Sequence, residues 1–112
     1  TIGKTTIVAT LLDVPNQELL RQMGDNIRSQ LDSSAICLAS EIQGKASIII
    51  MITKDISDKL NAKQLIQEIS PIIQGGGGGR PELAQAGGIK PEKLPEAIKL
   101  FRKIVKTILS EN

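Results

Sequence analysis

Histidine, tryptophan and tyrosine are absent from this 112-residue chain, and cysteine and phenylalanine occur once each. Without histidine the chain cannot build a Ser-His-Asp triad, a Cys-His dyad or a conventional zinc site, which excludes most hydrolase chemistry and leaves no catalytic or metal-ligating candidates. Cys37 stands alone in an apolar, strand-like stretch. It has no intrachain disulfide partner, which suits a reducing compartment, and with no base to activate it a buried, inert thiol is expected. Phe101 is the only aromatic residue. The bases of a nucleic acid would therefore find no stacking platform here, and such a partner must be held by charge, backbone amides and shape. Apolar runs reach only 5 residues, as at Ile48–Ile52, far short of a membrane-spanning helix. The chain opens on Thr1 with no basic-then-apolar-then-small leader pattern, so it is expected to be a segment of something longer.

What is present describes one globular domain over residues 1–112, with 40% apolar and 23% charged residues. The charge is uneven: residues 1–79 carry a net −1 and residues 80–112 a net +3, so the positive field belongs to the C-terminal third.

Thr5–Leu12 is β-branched and apolar without a helical stripe and reads as a strand, ended by Asp13–Pro15. From Asn16, the spacing of Leu19, Leu20, Met23, Ile27 and Leu31 predicts an amphipathic helix. Ser34–Ile42 and Ala46–Thr53 flank Gln43-Gly44-Lys45 and read as a β-hairpin. Its second strand does not alternate with polar residues, so both its faces should be covered, as in a central strand. Asn61 as N-cap, Gln64 three residues on, and Leu60 against Leu65 announce a second helix, which Pro71 should kink or shorten. Five glycines follow, Gly75–Gly79, and Pro81 and Gly87 suit the start and stop of a short helix. In the last helix Leu94, Ala97, Ile98, Phe101, Ile104, Val105 and Ile108 make one stripe, and Lys99, Arg102, Lys103 and Lys106 face the other way. The expected fold is α/β. It has a single mixed sheet of at least three strands with helices packed on it, a glycine-rich loop before a short helix, and a long C-terminal helix.

Two features suggest anion binding, the glycine run and the basic stripe of the last helix, and a third that looks similar does not. Gly3-Lys4-Thr5-Thr6 looks like the end of a phosphate-binding loop, but a strand follows where that motif needs a helix. In Gly75–Gly79 the backbone amides are unobstructed, the expected helix near Pro81 would add its own, and Arg80 stands ready to fork onto a phosphate. The bland alternatives are a flexible linker for the glycines and a solvated face for the basic stripe.

The stretch GGGGGRPELAQAGG, Gly75–Gly88, resembles the glycine-rich signature of the DHH-associated domain family, in the variant found at the C-terminus of alanyl-tRNA synthetases. The hairpin with its Thr53-Lys54-Asp55 exit, the following helix and the helical tail extend the resemblance over nearly the whole chain. In DHH phosphoesterases a histidine follows the glycines, whereas here the residue is Arg80, which points to the synthetase branch. The resemblance implies a domain without catalytic activity of its own that contacts the outer corner of tRNA(Ala) and helps couple aminoacylation with editing. Gly75, Gly76, Gly77, Gly78, Gly79, Arg80, Gln85, Lys99, Arg102, Lys103 and Lys106 are the nucleic-acid-binding candidates. It also implies a cytoplasmic setting, the aminoacylation and editing domains of the same polypeptide as partners, a homo-oligomer, and no membrane. ATP and zinc would belong to the full-length enzyme and no cofactor to this segment. Two alternatives stand beside it: a nucleotide-phosphate-binding domain cut from a DHH-family phosphoesterase, and an oligomerisation domain.

Overall fold

The computed structural model describes residues 5–110 and orders its elements as β1 (Thr6–Leu11), α1 (Gln17–Ser29), β2 (Ser34–Ile42), β3 (Lys45–Ile52), α2 (Ala62–Ile69), β4 (Gly75–Gly79), β5 (Leu83–Gly88) and α3 (Leu94–Ser110). The glycine and lysine of the Gly3-Lys4-Thr5-Thr6 motif lie outside the described residues. One mixed sheet of five strands has the order β1-β2-β3-β5-β4. β1 runs parallel to β2, with α1 as the crossover, and every other pair is antiparallel.

Local chemistry accounts for most boundaries. Asn16 caps α1 by accepting a hydrogen bond from the Leu19 amide at 2.8 Å, satisfying one of the amides a helix start leaves unpaired. The β2–β3 turn places Gln43 and Gly44 at φ of 54° and 76°, the left-handed pair that matches the twist of a tight hairpin. Asn61 caps α2 through the Gln64 amide at 3.2 Å. Pro71, which cannot donate, falls in a 3-10 turn over Ser70–Ile73 that ends the helix.

β3 carries the core. Ile48, Ile50 and Ile52 face a cluster with Leu65, Ile66 and Ile69 of α2 and Phe101 and Val105 of α3. Ile49 and Met51 face a second cluster with Leu20 of α1. The strand is apolar on both faces because helices cover both sides, as the lack of alternation predicted. On the first face Cys37 is fully buried in the middle of β2.

The C-terminal half corrects two expectations. The glycines are not a loop: Gly75–Gly79 form the edge strand β4, paired residue for residue with β5. Nor does a short helix start at Pro81, because Leu83–Gly88 is the strand that joins β3 to β4. Ala84 and Ala86 are buried while Leu83 and Gln85 are only partly so, a period of two that a six-residue window hides among small residues. Those two alanines let β5 lie close under α2, and the open side of β3 supplies its hydrogen-bond partner.

Candidate nucleic-acid interface

β4 is an all-backbone surface. A Cβ at Gly75, Gly77 or Gly79 would collide with the backbone of β5, whereas one at Gly76 or Gly78 would meet only open space. Alternate glycines are therefore demanded by the close approach of β5, and the other two keep one face of the strand bare. All five are exposed. As an edge strand, β4 presents unpaired N–H and C=O groups along its outer side.

Arg80 enters the turn between β4 and β5. Its amide donates to the Leu83 carbonyl at 2.8 Å and the Leu83 amide returns a bond to the Arg80 carbonyl at 3.2 Å, leaving Pro81-Glu82 as a two-residue loop. The Pro81 carbonyl accepts from the Ala62 amide at 2.9 Å and the Glu82 carbonyl from the Ile52 amide at 2.9 Å. The turn is thus pinned to α2 and to β3 while the Arg80 side chain stays exposed. The expected helix amides near Pro81 do not exist, and the one helix start that does reach the turn, that of α2, spends its first amide on Pro81. An anion here must be met by side chains and by the free edge of β4. Gln85 points to the α1 side of the sheet, where its Oε1 accepts from Gln17 Nε2 at 2.9 Å.

The cations of α3 stand elsewhere. Lys99, Arg102, Lys103 and Lys106 are all exposed on a helix that packs against β1 and β2, and Arg102 Nη2 donates to the Ala9 carbonyl at 2.7 Å, fastening α3 to β1. β1 and β4 are the two edges of the sheet, about 19 Å apart across four strand spacings. The sequence candidates therefore form two patches, one of glycines with Arg80 and Gln85, the other of α3 cations.

Sequence reasoning passed over Arg28 and Lys54. Both line one pocket with Arg80, and only the paired register of β3, β5 and β4 shows that the end of α1, the exit of β3 and the turn meet. The adjacent Asp55 has its carboxyl held below the usual range, first by the Thr53 hydroxyl and then by that of Ser33.

The family model for the DHHA1 domain matches residues 3–107. The chain belongs to the DHHA1 domain family. Its fold and sequence are similar to those of the C-Ala domain of alanyl-tRNA synthetase from Aquifex aeolicus, with a TM-score of 0.82 and 39% identity over 98% of this chain and 96% of that one. It is 36% identical over 107 residues to an alanine–tRNA ligase of Staphylococcus epidermidis, covering 96% of this chain and 12% of the relative. With that of Lactobacillus helveticus it shares 47% identity over 98 residues, 87% of this chain and 11% of the relative. This DHHA1 domain thus spans about an eighth of the length of these ligases. Among its described residues no helix is long and apolar enough to cross a membrane.

The one cysteine of the domain is chemically quiet. Burial pushes the Cys37 thiol up to about 12 from 9.0, the Arg102 charge pulling weakly the other way. Because the folded state keeps this proton longer than the unfolded chain, the stability it represents is intact below pH 9. It drains as pH rises toward 12, by about 1.4 kcal/mol per unit. Urea unfolding at pH 8 and pH 10.5 should show wild type losing about 2 kcal/mol more than Cys37→Ala over that interval. Equal losses would mean the thiol ionises freely in the folded protein.

Proposed function

We propose that this DHHA1 domain is the C-terminal tRNA-binding domain of an alanine–tRNA ligase. In this reading it contacts the outer corner of tRNA(Ala) and couples aminoacylation with the editing of mischarged tRNA in the cytoplasm. The observation that carries this is the match, over almost the whole chain, to the C-Ala domain of an alanyl-tRNA synthetase. The chemistry agrees with it: exposed cations and a bare glycine edge suit a phosphate backbone, and the lack of aromatics beyond the buried Phe101 leaves no stacking surface. The domain acts by binding. ATP and zinc belong to the other modules of such an enzyme, with which this domain works in one polypeptide.

The test is salt dependence. Each phosphate contact contributes roughly 0.7–0.9 to the slope of log affinity against log salt. Lys99→Gln, Lys103→Gln and Lys106→Gln combined should lower the slope for a tRNA(Ala) transcript by about 2, with Arg102 left in place because it ties α3 to β1. Unchanged slope and affinity in this triple variant and in Arg80→Gln would move the reading to oligomerisation, with the free edge of β4 as the contact.

A further inference from the structure

Three cations from three separate elements meet at one end of the sheet. Arg28 comes from the last turn of α1, Lys54 from the chain leaving β3, and Arg80 from the β4–β5 turn. With Glu82, Thr53 and Leu83 they line a pocket of about 290 Å³. That volume lies at the small end of ligand pockets and leaves ample room for a phosphate group.

The charges are unbalanced. Glu82 is the one carboxylate in the lining, against three cations. Arg28 Nη2 is engaged by Asp25 at 2.8 Å, but a guanidinium carries five N–H donors, so the Asp25 contact fixes its plane and leaves others free. Lys54 has no ion-pair partner among the described residues. Like charges gathered from separate elements repel unless an anion joins them, and the bonds pinning the turn to β3 and α2 keep Arg80 from swinging its backbone away.

We propose that Arg28, Lys54 and Arg80 form one phosphate-binding pocket, distinct from the bare glycine edge and from α3, in which Glu82 is a lining carboxylate, unpaired among the described residues, whose charge opposes an incoming phosphate. Naming an RNA backbone phosphate as the ligand rests on the tRNA reading above. The pocket itself is a claim about phosphate chemistry and is tested separately.

The experiment pairs an amide NMR titration of the chain, using sodium phosphate against sodium chloride at matched ionic strength, with binding of a tRNA(Ala) transcript. Phosphate should shift Thr53, Lys54, Arg80, Glu82 and Leu83 saturably, and Arg28→Gln or Lys54→Gln should abolish saturation. Together those two should weaken tRNA binding at least tenfold and lower the salt slope by about 1.5. Glu82→Gln should tighten both ligands. The α3 triple variant should weaken tRNA and leave the phosphate titration untouched. Lys54→Gln changes an exposed residue, so its loss of phosphate cannot be laid to unfolding. Absence of saturable shifts in wild type, or their persistence in both single variants, overturns the pocket even if tRNA binds elsewhere. Saturation by phosphate with no binding of the transcript upholds the pocket as a site for a free phosphate ligand and overturns the tRNA reading instead.

Discussion

Gly77→Val is expected to unfold the β4–β5 hairpin, while Gly76→Val, one residue away, leaves it standing. A Cβ at position 77 would lie 2.6 Å from the Ala86 Cα and 2.8 Å from its Cβ, and nearer still to the Gln85 carbonyl oxygen. None of these can yield without moving β5, and β5 is hydrogen-bonded on its other side to β3. Overpacking of this kind costs about 1–3 kcal/mol where the backbone can relax, so the upper end or beyond is expected here, a large share of a small domain's total stability. At Gly76 nothing lies within 4 Å of the added Cβ. A surface-sized change, within about 0.5 kcal/mol, should follow. Guanidinium unfolding of the two variants reads the difference directly. Equal midpoints would mean that β4 is not held against β5 in this register. Because Gly76→Val alters only the bare face, a loss of tRNA affinity in that variant without loss of stability would report on binding alone.

Ile50→Ala should be the most damaging single truncation in the sheet. Ile50 is 0% exposed, lies opposite Cys37 on β2 and Ala84 on β5, and packs into the cluster shared with α2 and α3. Both cross-strand neighbours are small, so neither of them can swing into the space left behind. Buried Ile→Ala changes cost about 2–5 kcal/mol, more where the site cannot collapse, and the upper half of that range is expected. A loss below about 0.5 kcal/mol in the same unfolding assay, the value of a surface position, would remove Ile50 from the core.

The sequence was most legible where side chains carried the information. The spacing from Leu19 to Leu31 announced one helix and Asn61 another, Gln43-Gly44 announced the hairpin, and the run from Ile48 to Ile52 a strand buried on both faces. The spacing from Leu94 to Ile108 described α3 and its outward cations. It was least legible from Gly75 to Gly88, where glycine and alanine have little side chain to show a period. There Pro81 and Gly87, residues that also bound helices, gave a helical reading to a strand. The same gap hid the pocket at Arg80. Arg80 was visible beside its glycines, but its distance from Lys99 and Lys103, and its nearness to Arg28 and Lys54, follow from the order β1-β2-β3-β5-β4. That order depends on β5 inserting between β3 and β4, a long-range pairing that no local window contains.

The composition of β4 also sets its place in the hierarchy of native-state opening. Glycine surrenders more backbone freedom on folding than any other residue, about 0.5–1 kcal/mol relative to alanine at each position, and β4 has five in succession with none buried. No side chain of its own contributes to its retention, which rests on the ladder with β5 and on its contact with α2 and the 3-10 turn that ends that helix. The strand is therefore a peripheral unit able to detach from the sheet well below the free energy of global unfolding, while β3 beneath two helical layers opens only with the whole domain. A partner that closes over β4 must select its docked form from this equilibrium. Its affinity then carries the cost of ordering those glycines, which makes strand order a lever on binding far from any charged group.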